Sequence, residues 1–232
     1  MFWQDDEKPP EYKVADNVID LVFSIDCREL PVDHAHTLGE ALFNALPLIK
    51  EDDRIAIHSI HLAGSQNGWE RPDASLGQKL VLSRRTKLTL RVPKEHRETI
   101  ERELNGTTLD IDGHKLTIGK AKTKALSSQT TIFARHIVLL PGEDDDENAF
   151  LMRIVKDLQS RNIRVKKALC GMTASIQTHT GPILTRSIML AELHVDESVQ
   201  LQEQGLGSHR ELGCGIFIPH KGIEAVNKPQ GE

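Results

Sequence analysis

The chain has 232 residues and a net charge of -5 at pH 7, with 38% hydrophobic and 4% aromatic residues. This length suits one large domain or two of roughly 100 residues. No segment approaches the ~20 apolar residues of a membrane span, and the start lacks a signal-peptide pattern, so we expect a soluble, cytoplasmic protein. Cys27, Cys170 and Cys214 are odd in number and far apart, which excludes a disulfide framework and a cysteine zinc site.

The charges are unevenly distributed along the chain. The negative total argues against a broadly basic nucleic-acid-binding protein, and acidic residues gather at 5–7 and 143–147. Each basic run taken alone is typical of a solvated face, but together the runs offer local patches for phosphate. The three basic segments are Lys79, Arg84, Arg85, Lys87, Arg91, Lys94, Arg97; then Lys115, Lys120, Lys122, Lys124; then Arg161, Arg164, Lys166, Lys167.

Hydrophobic periodicity in the first half predicts six elements in the order strand, helix, strand, strand, helix, strand. Apolar residues alternate in the predicted strands and recur at helical spacing in the predicted helices. The second predicted helix opens with Pro93, a favoured first helical residue. The predicted elements are 17–26, 34–49, 54–62, 86–92, 93–104 and 116–123.

The second half repeats this order. A strand (131–140), an amphipathic helix (146–162) and a strand (164–170) are followed by a hairpin-like stretch that bends at THTGPI. A short helix at 196–204 and a strand at 215–219 close the half. Two βαββαβ patterns predict an α+β protein with two tandem ferredoxin-like domains. We place the domains at 1–127 and 130–232.

A glycine-rich run, GLGSHRELGCGIFIPHK, occupies residues 205–221. It matches neither a dinucleotide fingerprint, because Arg210 stands at the third glycine position and a strand follows, nor a P-loop, because Gly-Lys-Ser/Thr is absent. Its glycines are also compatible with a long turn. A basic centre among several glycines favours binding, with backbone N–H groups approaching a phosphate. The residues concerned are Gly205, Gly207, Ser208, His209, Arg210, Gly213 and Gly215.

The segment GLGSHRELGCGIF resembles the C-terminal glycine-rich loop, GxGxxxxxGxG, of the CRISPR repeat-processing endoribonucleases of the Cas6 family. A second stretch, ELPVDHAHTLGEALFNALP (29–47), is similar to the segment before the first helix in Myxan-subtype members. The resemblance implies metal-independent cleavage of CRISPR repeat RNA, retention of the product hairpin and a place beside other interference-complex subunits. Catalytic residues vary within this family, so the resemblance does not fix the base.

Cleavage of RNA without a metal needs a base for the 2′-hydroxyl proton and positive or N–H groups for the developing charge. We expect His34 to be this base. It follows Asp33, a candidate helix N-cap, and the positive end of the helix dipole favours a neutral imidazole. His36 falls on the opposite helix face and is the reserve candidate. For His34 and Arg210 to serve one phosphate, the glycine-rich loop must approach the start of the first helix.

No cofactor is expected. His58, His61 and His179 have no carboxylate at a metal-ligand spacing beside them, so no metal site is predicted. No GxSxG elbow and no repeated His-x-Ser/Thr occurs. Two other classes stay open: a catalytically silent RNA-binding subunit of a CRISPR complex, and a module that binds a small ligand or protein. Beside the glycine-rich run, the predicted RNA-binding residues are Arg84, Arg85, Lys87, Arg164, Lys166 and Lys167.

Overall fold

A computed structural model describes residues 14–61 and 78–220 of the chain. Predicted features at 5–7, 62 and 221 lie outside these residues. The first half contains β1 (Val18–Asp26), β2 (Glu29–Pro31), α1 (Ala35–Ala45), α2 (Leu48–Glu51), β3 (Ala56–Ile57), β4 (Lys79–Val81), β5 (Lys87–Pro93), α3 (Arg97–Leu104), β6 (Thr108–Ile111) and β7 (His114–Ala125). The second half contains β8 (Ile132–Val138), α4 (Glu147–Ser160), β9 (Lys167–Thr178), β10 (Gly181–Ala191), α5 (Val195–Gln204) and β11 (Phe217–Pro219).

Each half builds one main antiparallel sheet with the same strand order, and β2 and β4 form a separate two-stranded sheet in the first half. The first sheet runs β3-β5-β1-β7-β6 and the second β11-β8-β10-β9. When the strands of each βαββαβ unit are numbered in sequence, both sheets read 4-1-3-2 or its reverse, with β6 added to the first. The prediction of two tandem ferredoxin-like units is confirmed. The domain boundary between 127 and 130 stays a prediction.

Each unit has its own apolar core. In the first, Leu21 and Phe23 of β1 pack in one buried cluster with Leu38 and Leu42 of α1. In the second, the cluster includes Phe150 of α4. Burying each of these side chains contributes about 1.5–3 kcal/mol. Among the described residues, no helix is long and apolar enough to cross a membrane.

Several predicted boundaries were wrong. The helix predicted over 34–49 is divided into α1 and α2, because Leu46 precedes Pro47 and takes a non-helical conformation (φ -141°, ψ 84°). Of the strand predicted over 54–62, only β3 forms in the described part. The hairpin strand β9 extends to Thr178, well beyond the predicted end at residue 170.

Candidate active site between the two domains

His34 ends the turn before α1 and is buried, with 3% of its surface exposed. Its Nδ1 donates to the Pro31 carbonyl (2.9 Å), and its Nε2 accepts from the Ile60 N–H (3.1 Å). Burial lowers the pKa of His34, which fits this neutral tautomer. Because both ring nitrogens are engaged inside the protein, this geometry does not support His34 as a general base. It gives His34 the role of joining β2 and α1 to the segment after β3.

Asp33 is not the N-cap of α1, as its position had suggested. The N-cap residue is His34, and no side chain caps this end. The Asp33 carboxylate instead accepts a hydrogen bond from the backbone N–H of Gln177 in β9 (2.8 Å). The start of α1 is therefore fastened to the second domain.

The glycine-rich run does approach the first helix. A Cβ at Gly39 of α1 would lie 3.2 Å from the carbonyl oxygen of Glu211, so only glycine permits this contact without movement of the loop. On the other side of the run, a Cβ at Gly213 would lie 2.3 Å from the Ser59 hydroxyl. The predicted approach of the glycine-rich run to the first helix is present in the structure, although His34 and Arg210 do not lie together there.

A pocket of about 400 Å³ lies where α1, the turn between β9 and β10, and the glycine-rich run come together. Both domains contribute polar side chains to its wall, and Leu212 closes one side. The lining residues are His36, Glu40, Phe43, Asn44, Lys50, Thr178, Thr180, Ile183, His209, Glu211 and Leu212. Neither His34 nor Arg210 is among them.

His36 enters this pocket from α1. Its side chain is 21% exposed and its Nε2 lies 3.6 Å from Glu40 Oε1, too far for a hydrogen bond. Among the described residues, this nitrogen has no hydrogen-bond partner. The His179 ring lies edge-on to His36, with centroids 4.5 Å apart, and His179 Nε2 donates to Glu40 Oε2 (3.1 Å). His36 thus has a ring nitrogen without a hydrogen bond, which His34 lacks, although neighbouring atoms shield this nitrogen from solvent.

His209 enters the pocket from the glycine-rich run. Its Nδ1 donates to the Glu211 carboxylate (2.9 Å), which fixes the orientation of the ring. The other ring nitrogen, Nε2, takes no part in this bond. Its backbone is left-handed (φ 61°, ψ 42°), a conformation that costs a non-glycine residue roughly 1–3 kcal/mol and often marks functional positions. Two histidines from different domains, each near a carboxylate, therefore share one pocket.

Only part of the glycine-rich run can offer its backbone N–H groups to a phosphate, as the sequence had predicted for the whole run. The N–H groups of Leu206, Gly213 and Gly215 donate to the carbonyls of Gly215, Arg210 and His136. Gly205, Gly213 and Gly215 are buried, whereas Gly207 and Ser208 are exposed. A Cβ at Gly207 would meet nothing within 4 Å. Its φ of +78° is the feature that favours glycine there. The tip of the run, Gly207 to His209, is therefore the part that a ligand can reach.

Arg210 bonds the protein backbone, which gives it a structural role. Its guanidinium donates to the carbonyls of Gln204 and Glu203 at the end of α5, where cations are favoured. Burial, with a smaller effect from the nearby Arg91 charge, lowers the pKa of Arg210 to about 10. The expectation that Arg210 lies beside His34 at one phosphate is not supported by these contacts.

Arg91 joins the two domains. Its guanidinium is 1% exposed and pairs with Asp20 (2.8 Å). It also donates to the carbonyls of Gln202 and Phe217 in the second domain (2.9 and 2.7 Å). Arg91 is therefore a buried contact between domains and not part of an open basic patch.

The exposed lysines of β7 lie beside this contact. Across the strands, Lys122 is opposite Val22, and Lys124 is opposite Asp20. On the other side of β1, Lys87 is opposite Ser24. Directly opposite residues share a face, so these lysines lie on the face of the sheet away from Leu21 and Phe23. We call Lys87, Lys122 and Lys124 the lysine face; all three are exposed.

The other predicted RNA-binding residues are distributed differently. Arg84 and Arg85 are exposed in the turn between β4 and β5. Arg164, Lys166 and Lys167 stand near the start of β9, about 35 Å along the strand from the turn that carries His179. Lys167 pairs with Glu192. The structure therefore does not bring Arg164, Lys166 or Lys167 to the pocket.

Sequence reasoning missed Glu40, Lys50 and Glu211 as pocket residues. Glu40 is one helical turn after His36, a spacing that places the two on one face and was available as a signal. The prediction of no metal site considered His179, but only for carboxylates near it in the sequence. The structure groups His36, Glu40 and His179, with one donor atom of each lying within 4.8 Å of the others. No local spacing could indicate that His179 joins them from another domain.

These features define a tandem ferredoxin-like protein whose domains share a histidine-lined pocket. A model of the Cas6 CRISPR family matches residues 19–222. A CRISPR-associated endonuclease Cas6 from Myxococcus xanthus (strain DK1622) is 29% identical over 201 residues, 87% of this chain and 81% of the relative. The chain belongs to the Cas6 family.

Solved structures agree with this fold. A CRISPR-associated protein Cas6 aligns with a TM-score of 0.57 at 13% identity, covering 88% of this chain and 99% of that one. A protein described as Cas6-related, from Pyrococcus furiosus, aligns with a TM-score of 0.59 at 14% identity, covering 86% and 97%. At these identities the likeness concerns the fold alone.

Proposed function

We propose that this protein is an endoribonuclease that cleaves CRISPR repeat RNA without a metal ion, and that the pocket between its domains is the active site. The observation that carries the proposal is the pairing of His36 and His209 in one pocket, each supplied by a different domain. Membership of the Cas6 family and the endonuclease name of the Myxococcus xanthus relative support it.

In this reaction His36 Nε2 accepts the proton of a 2′-hydroxyl group. The 2′-oxygen attacks the adjacent phosphorus, and the bond from phosphorus to the 5′-oxygen breaks. His209, as an imidazolium with a proton on each ring nitrogen, donates its Nε2 proton to that leaving oxygen and keeps the Nδ1 proton that Glu211 accepts. The products carry a 2′,3′-cyclic phosphate and a 5′-hydroxyl. His36 is assigned as the base because its Nε2 makes no hydrogen bond among the described residues. This nitrogen is shielded from solvent in the structure, so a neighbouring side chain must move for the 2′-hydroxyl to reach it.

Two neighbours support these steps. Glu211 accepts the Nδ1–H of His209 and so directs the other nitrogen of the ring. Lys50 lines the same pocket and lies 5.0 Å from the centre of the Phe43 ring, which limits where its ammonium can go. A cation there stabilises negative charge that develops on the phosphate.

In the proposed binding mode, the RNA flanking the cut site contacts the lysine face, which lies on the side of the first sheet opposite α1 and the pocket. With 4% aromatic residues, phosphate contacts dominate over base stacking. The tip of the glycine-rich run, Gly207 to His209, contacts the RNA near the cut. A place beside other CRISPR subunits stays a prediction.

The test is single-turnover cleavage of repeat RNAs from the host's own CRISPR arrays in EDTA, with wild type, His36→Ala and His209→Ala. A positioned acid or base contributes about 10²- to 10⁴-fold in rate, so each variant slows cleavage in this range while repeat affinity is largely kept. The exposed His220→Ala is the matched control. Strong repeat binding without cleavage by wild type would instead identify a silent RNA-binding subunit, and absent binding would reject both.

A further inference from the structure

Three side chains at the edge of the pocket form a group of potential metal ligands. His36 and Glu40 are one turn apart on α1, and His179 comes from the turn between β9 and β10. Glu40 Oε1 lies 3.6 Å from His36 Nε2, and Glu40 Oε2 lies 3.1 Å from His179 Nε2. One donor atom of each residue lies within 4.8 Å of the others.

This donor set suits zinc better than magnesium or calcium. Two imidazoles and one carboxylate are ligands that Zn²⁺ accepts, whereas Mg²⁺ and Ca²⁺ prefer oxygen alone. In a tetrahedral zinc site with bonds of ~2.1 Å, neighbouring donors lie about 3.4 Å apart. The two separations are close to this spacing, but they end on different oxygens of Glu40, so binding through one oxygen requires a rotation of that carboxylate. Three protein ligands leave a fourth position for water.

The site is accessible and partly unsatisfied. His179 and Glu40 have side chains 76% and 47% exposed, so an ion can enter from solvent. His36 Nε2 is shielded from solvent and has no hydrogen-bond partner among the described residues. Binding would displace the Nε2 proton of His179, which now bonds Glu40, and would require His36 to present Nε2 without a proton.

We infer that His36, Glu40 and His179 bind Zn²⁺ and that the bound ion inhibits the protein. The inhibitory part rests on the proposed function, because a metal on Nε2 prevents His36 from accepting the 2′-hydroxyl proton. The ion also ties α1 of the first domain to the β9–β10 turn of the second. Zinc bound at this site therefore prevents RNA from using the pocket.

Direct binding tests the site without reference to cleavage. Zn²⁺ is titrated against a chromophoric chelator in competition with the full-length wild type, His179→Ala and the control His114→Ala. His114 also lies beside a glutamate, with its Nδ1 3.7 Å from Glu29 Oε1. Among the described residues, however, this pair does not belong to a group of three potential metal ligands. We expect the His179→Ala variant to lose about 10- to 100-fold or more in zinc affinity, and the control to match wild type. Equal zinc affinity in all three proteins would overturn the site.

Inhibition is measured in zinc-buffered single-turnover cleavage, with each rate divided by the same protein's rate in EDTA. Wild type and His114→Ala lose cleavage at the zinc concentration that fills the site, and His179→Ala keeps its own EDTA rate there. Equal fractional inhibition of all three would overturn the inhibitory role. If wild type fails to cleave in EDTA, the proposed function fails, while the titration still decides whether the zinc site exists.

Discussion

Replacing His34 with alanine tests whether this residue supports the fold or performs the chemistry. The change removes a donor to the Pro31 carbonyl and an acceptor for the Ile60 N–H in a site 3% exposed. Each backbone group left buried and unpaired costs about 1–3 kcal/mol, so the loss of both partners lowers the free energy of unfolding by about 2–6 kcal/mol. For a protein of this size that lowers Tm by roughly 4–24 °C.

The assay is thermal unfolding of His34→Ala followed by cleavage well below its Tm. His179→Ala is the stability control, because its side chain is 76% exposed and surface changes usually alter stability by less than about 0.5 kcal/mol. We expect a lowered Tm for His34→Ala and retained cleavage while it is folded. An unchanged Tm with cleavage reduced about 10²- to 10⁴-fold would refute the reasoning and restore His34 as the base.

The pH dependence of unfolding gives a second readout for the same change. In the unfolded chain a histidine titrates near 6.5, whereas burial lowers the pKa of folded His34. As pH falls below about 6.5, the unfolded state takes up a proton that the folded state does not, so this residue's contribution to stability is lost with falling pH. The stability difference between wild type and His34→Ala should therefore shrink from pH 7.5 to pH 5. A difference that does not change with pH would mean that His34 is not held neutral.

Three further changes have distinct expected results. Arg210→Ala removes bonds to the Gln204 and Glu203 carbonyls, so it should lower the free energy of unfolding by about 1.5–3 kcal/mol in a denaturant titration; unchanged stability with lost repeat affinity would place Arg210 on the RNA instead. Although burial raises the pKa of Asp20, His58 and Arg91 hold it below its usual range. The ionised Asp20 therefore stabilises the fold above pH ~4, and this contribution decreases as the pH falls. We expect Asp20→Asn to be less stable than wild type at pH 7 and as stable as wild type in strong acid. An equal loss of stability at both pH values would contradict this. Lys122→Gln should weaken repeat binding and reduce the salt slope of log K by about 1, which a salt series of binding isotherms measures, and an unchanged slope would remove Lys122 from the interface.

Most of the fold was predictable because the residue patterns that mark its strands and helices lie within short stretches of the sequence. Alternation of apolar residues identified β1, β5, β7 and β8, and helical spacing identified α4. The short pair of β2 and β4 was missed, since three-residue strands are too short for a period to show. The split between α1 and α2 depended on Pro47, whose effect on Leu46 was not taken into account.

The site was predictable only in part. Helical geometry predicted that His34 and His36 point to opposite sides. In the structure His34 is the buried residue before α1, whereas His36 lies on α1 and lines the pocket. It could not show that the face with His36 meets the second domain, because the placement of one domain against another is not contained in local periodicity. For the same reason the glycines were interpreted mainly as a ligand cradle, whereas Gly39 and Gly213 allow close contact between α1, the glycine-rich run and Ser59.

The most direct test of metal-independent cleavage through the 2′-hydroxyl uses a repeat RNA with one 2′-deoxy nucleotide just before the cut. Wild-type protein is incubated with this RNA and with unmodified RNA in EDTA, and the product ends are analysed. We predict that unmodified RNA yields a 2′,3′-cyclic phosphate and a 5′-hydroxyl, and that the deoxy RNA binds but is not cut at that position. Undiminished cleavage of the deoxy RNA, or loss of all cleavage in EDTA, would contradict the mechanism.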